Sequence, residues 1–293
     1  MPEWSGIAKT LKMILFKKSG DLRRWLADQK NKRGKTGFVP TMGALHEGHL
    51  RLIETCRSRS DLSICSIFIN PAQFNDRSDF EKYPVSLEKD IEMLAKAGTD
   101  LVFIPSVNEI YPQGDTGLET YDLGTLETIL EGRYRPGHFQ GVCQVMRRLL
   151  GIIAPEYLFM GQKDYQQCLV VQRLISLLKI PVEFHTVPTI READGLALSS
   201  RNRRLTEAQR KNASAIFKAL KYIRESLVSG NTDTVIESAT QILDAARFKT
   251  DYISISRAAD LQPIQNFDGK VKALALIAAF QGEVRLIDNI LLN

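Results

Sequence analysis

The chain has 293 residues, of which 44% are hydrophobic and 25% are charged. These proportions are those of an ordinary globular protein, so they exclude a disordered, collagen-like or coiled-coil chain. With 39 basic and 34 acidic residues the net charge is +5, and the chain lacks the long basic stripe typical of nucleic-acid binders. This mild positive charge suits a protein that handles small anions.

The cysteine pattern and the apolar runs bear on location. The four cysteines have neither disulfide nor zinc-ligand spacing, which predicts a reducing compartment: Cys56, Cys65, Cys143 and Cys168. The most apolar stretches, Leu62–Ile69 and Ala273–Phe280, are shorter than the roughly 18 residues that a membrane helix needs. Met13–Phe16 is too short for a signal-peptide core. We therefore expect a cytoplasmic protein with no membrane and no nucleic-acid partner.

The first two thirds of the chain alternate strand-like and helical segments. Apolar runs predict strands at Gly37–Pro40, Leu62–Ile69, Leu101–Ile104, Tyr157–Met160 and Val182–Val187. Apolar residues at helical spacing predict helices at Leu50–Cys56, Leu87–Leu94, Val142–Leu150 and Leu169–Leu178. Such alternation favours parallel pairing, so we predict an α/β fold with a doubly wound, Rossmann-like parallel sheet. Ligands of these sheets bind beyond the carboxyl ends of the strands.

The pattern changes after about Ile190. Thr206 and Gln209 form a capping box that predicts one long helix through Leu227. A further helix and three strands are predicted at Val235–Ala246, Tyr252–Ile255, Ala273–Phe280 and Val284–Ile290. We therefore expect a Rossmann-like domain that ends at about residue 189 and a smaller α+β C-terminal domain (190–293).

The first strand-to-helix turn contains two histidines. His46 and His49 are three residues apart at a predicted helix N-terminus, so they project to the same side. Gly43 and Gly48 in the same turn allow a ligand close to the backbone. Imidazoles at this position can donate to phosphate oxygens and stabilise charge in a transition state. The His-Glu-x-x-His spacing of a zinc protease is absent, and two ordinary surface histidines are the alternative.

A second turn leaves the Tyr157–Met160 strand. In it Lys163 can supply a positive charge to a phosphate, and Asp164 can cap the next helix. A capped helix start without any ligand is the alternative interpretation.

Two further polar segments can likewise be interpreted either as ligand-binding or as purely structural. Ser199 and Ser200 beside Arg201 can bind a phosphate, or they can form a polar helix cap or interdomain loop. Asn70 and Gln73 directly follow the most apolar strand. Their amides can recognise the carboxylate or hydroxyls of a small substrate, or they can simply close the loop.

In order and spacing these segments resemble the pantothenate synthetase (pantoate–β-alanine ligase) family of the nucleotidyltransferases with a His-x-Gly-His motif. The resemblance covers about Met13 to the end of the chain. It implies an N-terminal extension (1–12), a nucleotide- and substrate-binding domain (13–189) and a C-terminal domain (190–293) that closes over the site. The matching segments are Val39–Gly43, His46–His49, Asn70–Phe74, Lys82–Pro84, Arg135–Phe139, Gly161–Asp164, Asp194–Asn202 and Arg285–Asn289. It implies the ATP-dependent condensation of (R)-pantoate with β-alanine through a pantoyl adenylate, with Mg²⁺ as cofactor and a homodimer as the assembly.

The resemblance also implies a role for each matching residue. ATP would contact Met42, Gly43, His46, Gly48, His49, Gly161, Lys163, Asp164, Ile190, Leu198, Ser199, Ser200 and Arg201. Catalytic roles would fall to His46, His49, Lys163 and Arg201, with His49 donating a proton as pyrophosphate leaves. Pantoate and β-alanine would contact Asn70, Gln73, Gln167 and Tyr83, the last in a mobile flap. Asp90 would contact Mg²⁺ through water, or it would be an exposed helix residue.

Three positions depart from the family pattern, and two other functions stay open. Gln162 stands where Glu is usual, Lys89 where acidic neighbours are common, and Ala44 where Asn is frequent. The first alternative function is a nucleotidyltransferase that couples a nucleotide to a phosphorylated small molecule. The second is a nucleotide-sensing or nucleic-acid-binding module without turnover.

Overall fold

The computed structural model describes residues 13–29, 34–75, 80–114 and 117–293. The predicted N-terminal extension, residues 1–12, lies outside them. No helix in these described ranges has the length and apolar character needed to cross a membrane. All four cysteines are buried free thiols.

Six strands form the central sheet. They are β1 (Ile14–Phe16), β2 (Thr36–Thr41), β3 (Leu62–Ile67), β4 (Leu101–Phe103), β5 (Tyr157–Gly161) and β6 (Glu183–Val187). Their order is β1-β4-β3-β2-β5-β6, and every neighbouring pair is parallel. Sequence periodicity misses β1, because three residues at a sheet edge are too few to show alternation.

Helices cover both faces of this sheet. They are α1 (Ser19–Gln29), α2 (Glu47–Arg59), α3 (Leu87–Lys96), α4 (Val107–Ile110), α5 (Glu131–Tyr134), α6 (His138–Ile153) and α7 (Tyr165–Leu178). Neighbouring strand residues point to opposite faces: Phe38 packs with α1, α6 and α7, whereas Val39 packs with α2 and α3. Both faces are therefore apolar, and the predicted doubly wound α/β fold is confirmed.

The C-terminal part of the chain forms a second, smaller α+β domain, as predicted. It contains α8 (Glu207–Ala213), α9 (Ala215–Ser226), β7 (Gly230–Asn231), α10 (Asp233–Ala245), β8 (Lys249–Arg257), β9 (Asn266–Phe267), β10 (Ala273–Gln281) and β11 (Val284–Leu291). The Thr206–Gln209 capping box is present. The single long helix predicted after it is wrong, because the chain breaks at Ser214 into α8 and α9. Serine competes for backbone hydrogen bonds and is a weak helix former.

The antiparallel sheet β11-β10-β8 joins the two domains. On one face of β10, Ala275 and Ile277 pack in the core with α9 and α10. On the other face, Leu274 and Leu276 pack against Tyr165 and Leu169 of α7. The second domain is therefore docked on the first through a fully buried strand.

A buried ion pair lies at the same interface. Arg285 donates to both carboxylate oxygens of Glu131 at 2.8 Å and to Asp251 at 2.7 Å. Tyr252 also donates to Glu131, at 2.9 Å. Burial favours a raised pKa for Glu131, but the pairing with Arg285 outweighs it, so the pKa lies below its usual value. The carboxylate therefore stays ionised in the interior.

The strand order fixes where a ligand can bind. From β2 the chain proceeds outward to β3 and β4 on one side, and β5 and β6 lie on the other side. The neighbouring strands β2 and β5 therefore form the topological switch point, where a crevice opens beyond their carboxyl ends. These ends are Thr41 and Gly161.

Removing Arg285 should destabilise the protein strongly, since it leaves the Glu131 carboxylate buried without its cation. We expect Arg285→Ala to lower the free energy of unfolding by about 3–5 kcal/mol, measured by urea denaturation. The matched control is Arg257→Ala, whose partner Asp260 and own side chain are both nearly half exposed. That variant should lose less than about 1 kcal/mol. Equal losses in the two variants would contradict a buried stabilising pair.

Candidate active site

The turn after β2 is held in shape by one buried carboxylate. Asp90 is 1% exposed, and its two oxygens accept the backbone N–H groups of Ala44 and Leu45, both at 2.8 Å. Ser86 Oγ donates to the same carboxylate at 3.0 Å. Gly43 has φ 79°, and a Cβ there would lie 2.9 Å from Asp90 Oδ2. The turn therefore needs glycine at position 43.

These contacts change the interpretation of Asp90. The suggestion that it is an exposed helix residue is wrong, because the side chain points inward at the turn after β2. Both carboxylate oxygens already accept backbone hydrogen bonds. The structure thus gives Asp90 a positioning role, and a contact with Mg²⁺ through water stays a prediction.

The two histidines cap α2 together. His46 occupies the N-cap position, and its Nδ1 accepts the N–H of Gly48 at 3.2 Å. The N–H of His46 in turn donates to His49 Nδ1 at 3.3 Å. The ring centroids are 4.1 Å apart, on the same side as their spacing predicts. Because each Nδ1 accepts a hydrogen bond, the proton of each neutral ring sits on Nε2.

Both imidazoles are neutral at pH 7. Burial, together with the neighbouring His49, Lys163 and Arg203, lowers the pKa of His46 to about 3. Burial likewise lowers the pKa of His49 to about 4, with Lys163 and Arg203 adding to the effect. The pair therefore offers two N–H donors rather than two cations.

The turn after β5 carries Lys163. A short 3₁₀ helix, Gln162–Asp164, connects β5 to α7. The Lys163 side chain is mostly buried, and its Nζ lies 3.8 Å from Asp164 Oδ1. Asp164 occupies the N-cap position of α7, but its side chain makes no capping hydrogen bond. The prediction that Asp164 caps the helix through its carboxylate is therefore wrong, since the carboxylate faces Lys163.

The Ser–Ser–Arg segment forms a 3₁₀ helix, Ser200–Arg204. Ser199 caps it, because its Oγ accepts the N–H of Arg201 at 3.3 Å. Ser200 is buried, and its Oγ lies 3.3 Å from the hydroxyl of Tyr83. The helix-cap interpretation is therefore confirmed for Ser199, and phosphate binding by this segment stays a prediction.

Arg203 ties this segment to the histidine turn. Its Nη2 donates to the carbonyl of Leu45 at 3.0 Å, and its charge contributes to the lowered pKa values of both histidines. Sequence reasoning gave Arg203 no role, although it lies beside the predicted serine–arginine cluster.

These three elements meet around one cavity of about 210 Å³. It lies beyond the carboxyl ends of β2 and β5, at the switch point of the sheet. Every predicted site residue lines it except Gly43 and Asp90, which shape the turn behind it. The predicted residues in its wall are Met42, His46, Gly48, His49, Asn70, Gln73, Tyr83, Gly161, Lys163, Asp164, Gln167, Ile190, Leu198, Ser199, Ser200 and Arg201.

An apolar wall completes the cavity. It consists of Phe68, Val142, Val145, Met146 and Leu149. The periodicity of α6 predicts these helix residues as core, and it cannot show that part of the helix faces a ligand space.

Asn70 lines the cavity and also closes its loop. It is 1% exposed, its Nδ2 donates to the carbonyl of Gly141 at 3.0 Å, and its Oδ1 accepts from Tyr111 at 2.7 Å. Its amide also lies 3.3 Å from Gln73 Oε1. These contacts support the loop-closing alternative for Asn70, and its contact with a substrate stays a prediction.

His138 is a further residue that the sequence left without a role. Its Nδ1 lies 2.7 Å from the carbonyl oxygen of Gln73, and its Nε2 lies 3.1 Å from Arg135 Nη1. Burial lowers its pKa to about 3, so the neutral ring donates to Gln73 and accepts from Arg135. The sequence signal that could have pointed to His138 is the Arg135–Phe139 segment. It matches the family pattern, but the sequence alone gives these residues no function.

A larger cavity of about 650 Å³ opens between the two domains. It adjoins the first cavity because both are lined by Lys163, Asp164, Ser199 and Arg201. Arg285 and Glu131 lie in its wall. The residues predicted to contact phosphate, Lys163, Ser199 and Arg201, therefore sit where the inner cavity meets the interdomain space.

Comparison with known proteins agrees with this arrangement. Residues 14–291 match the family model of pantoate-beta-alanine ligase. The pantothenate synthetase of Leptospira biflexa is 41% identical over 280 residues, which cover 94% of this chain and 98% of that protein. The pantothenate synthetase of Moorella thermoacetica is 42% identical over 285 residues, which cover 96% of this chain and 99% of that protein.

Solved structures show the same likeness. A crystal structure of pantothenate synthetase from Thermus thermophilus superposes with a TM-score of 0.88 at 40% identity, covering 96% of this chain and 99% of that one. A second structure is that of pantoate-beta-alanine ligase from Francisella tularensis, complexed with beta-gamma ATP and beta-alanine. Its TM-score is 0.82 at 36% identity, and the match covers 96% of this chain and 98% of that one. On sequence, fold and extent of coverage, this chain belongs to the pantoate-beta-alanine ligase family.

Proposed function

We propose that this protein condenses (R)-pantoate with β-alanine to pantothenate in an ATP-dependent, AMP-forming reaction. The observation that carries the proposal is that the histidine turn, the Lys163 turn and the Ser199–Arg201 segment line one cavity. Family membership supports this reaction over the other nucleotidyltransferase and over a module without turnover.

The reaction has two steps. A carboxylate oxygen of pantoate attacks the α-phosphorus of ATP, the bond from that phosphorus to the bridging oxygen breaks, and pyrophosphate leaves. The amine of β-alanine then attacks the acyl carbon and loses a proton, and AMP leaves with the electrons of the acyl–oxygen bond. Neither step needs a covalent bond to the protein, so positioning and charge stabilisation are its main contributions.

The histidines act in this proposal as neutral hydrogen-bond donors to the phosphates. Each Nδ1 accepts a backbone hydrogen bond, so each Nε2–H is left to donate to a phosphate oxygen. His49 has a pKa of about 4 in the protein without ligand, so it is not a charged acid there. The negative charge of bound ATP favours a higher pKa, which is the condition under which His49 could release a proton to departing pyrophosphate.

The cations and the remaining nucleotide contacts follow from the cavity wall. Lys163 and Arg201 neutralise charge on the phosphates as pyrophosphate departs, with Ser199 and Ser200 beside them. We assign the adenosine site to Met42, Gly48, Gly161, Asp164, Ile190 and Leu198, all of which line the cavity. Gly43 contributes through the conformation of the turn rather than through a contact.

The acyl substrates occupy the amide-lined side of the cavity in this proposal. Gln73 and Gln167 line it and offer amides to pantoate, and Gln73 also faces β-alanine. Asn70 and His138 hold Gln73 in place by the contacts described above. Tyr83, beside Ser200, shields the adenylate from water.

Magnesium fits this site as a partner of ATP rather than of a protein cage. The described residues contain no group of three or more His, Cys, Asp or Glu side chains placed to hold a metal. Mg²⁺ commonly keeps several waters and binds through one or two carboxylates plus substrate phosphates, and Asp164 is a carboxylate in the wall of the cavity. When bound, the ion neutralises phosphate charge. From the family resemblance we further propose a homodimer located in the cytoplasm.

The proposed reaction is tested by omitting each substrate in turn. Purified protein should form AMP only when pantoate, β-alanine, ATP and Mg²⁺ are all present, measured by chromatography of the nucleotides. With β-alanine omitted, it should still exchange labelled pyrophosphate into ATP in a pantoate-dependent manner. AMP formation with another acid but not with pantoate would contradict the substrate assignment.

Loss of the His49 imidazole should slow adenylation. We expect His49→Ala to lower kcat of pyrophosphate exchange by about 10²-fold, because a preorganised donor to the departing phosphates is removed. The control is His185→Gln, since His185 packs on Phe159 and lines neither cavity. An unchanged rate in His49→Ala would remove this residue from the catalytic set.

The buried neutral histidines should make the fold acid-sensitive. In the unfolded chain a histidine has a pKa near 6.5, whereas His46, His49 and His138 have values of about 3 to 4 when folded. Between about pH 6.5 and pH 4 the unfolded state therefore binds more protons, so the free energy of unfolding falls as the pH falls. Urea midpoints measured across this range should fall less steeply with falling pH in the double variant His46→Asn/His49→Asn than in the wild-type protein. The same slope in both proteins would contradict the assignment.

A further inference from the structure

The C-terminal strand reaches the Lys163 turn through one asparagine. Asn289, on β11, is 2% exposed. Its Nδ2 donates to the carbonyl of Gln162 at 3.0 Å and to the carbonyl of Lys163 at 2.9 Å. Its Oδ1 lies 3.4 Å from Gln162 Nε2, which donates to it. One side chain thus holds the two peptide groups on either side of the Lys163 Cα.

The backbone of Asn289 is itself held by hydrogen bonds. Its backbone N–H donates to Asp288 Oδ1 at 2.8 Å, and its carbonyl accepts from Arg191 Nη2 at 3.1 Å. Arg191 also donates to Asp288 at 3.0 Å. A short, buried ion pair therefore anchors the backbone from which Asn289 reaches across the domain interface.

The Lys163 turn has little local support of its own. It follows the last residue of β5, and neither its 3₁₀ helix nor α7 receives a side-chain capping hydrogen bond. A lysine is a flexible point charge, so the direction in which it leaves the backbone depends on the peptide groups beside it. These are the groups that Asn289 holds.

We propose that Asn289 is a positioning residue for Lys163, and that through it the C-terminal domain sets the geometry of phosphate binding. The inference rests on the proposed function for the role of Lys163. Asn289 acts on adenylation and not on amide formation, because only the first step moves charge onto a departing pyrophosphate.

Two variants remove the donated hydrogen bonds. Asn289→Leu keeps the branched heavy-atom shape without polar atoms, and Asn289→Asp keeps the shape and an acceptor but lacks the donor. The matched control is Asn293→Asp, near the same chain end, where Nδ2 donates to the carbonyls of Val271 and Gly269 at 2.9 and 3.4 Å. Asn293 lines neither cavity.

We expect both Asn289 variants to lower kcat/KM for ATP in pantoate-dependent pyrophosphate exchange by about 10- to 100-fold, as a displacement near 1 Å can do. Amide formation from supplied pantoyl adenylate and β-alanine should stay within about twofold, and Asn293→Asp should change neither step. In a Lys163→Ala background, Asn289→Leu should have little further effect on exchange. Unchanged exchange, an equal loss in both steps, or additive losses in the double variant would overturn the proposal.

A separate readout distinguishes failure of this proposal from failure of the proposed function. Calorimetry with an ATP analogue carrying a methylene bridge between the α- and β-phosphates measures nucleotide binding without turnover, because adenylation cannot break that bridge. If wild-type protein shows no pantoate-dependent exchange, the proposed function fails. If Asn289→Leu weakens binding of the analogue, and the same substitution causes no further weakening in the Lys163→Ala background, the positioning role is still supported. Unaltered binding in Asn289→Leu would overturn it.

Discussion

The candidate site depends on one constraint, the contact between the Asp90 carboxylate and the backbone of the turn after β2. Ala44 has φ 50°, a conformation that costs free energy for a residue with a Cβ. The turn keeps it because Asp90 accepts the N–H groups of Ala44 and Leu45. This shape places His46 at the start of α2, from which the rest of the phosphate-binding arrangement follows.

The two histidines serve folding and ligand binding with different atoms of the same rings. Their Nδ1 atoms satisfy backbone N–H groups at the start of α2, which otherwise lack partners inside a helix. Their Nε2–H groups are left for a ligand. Burial and nearby cations keep the rings neutral, so each ring offers an N–H donor without adding a buried positive charge.

Much of the fold and of the site could be predicted from local patterns. Strand and helix alternation gave the parallel sheet, and the turns containing His46, Lys163 and Arg201 do line one cavity. What local patterns cannot show is which distant partners the buried polar side chains find. Asp90 binds a turn 45 residues away in the chain, and Asn70 binds Gly141, 71 residues away. No local pattern encodes such pairings, because they depend on how the strands are ordered in the sheet.

The Glu131–Arg285 pair lies in the wall of the interdomain cavity, and the apolar contacts of β10 continue the interface beside it. Pulling the domains apart along this edge would expose an ionised pair together with the leucines that pack there. Sliding one domain past the other would break the same bonds. The contacts that join the two domains are therefore also part of the cavity wall, so whatever preserves the interface also preserves the width of the space beside it.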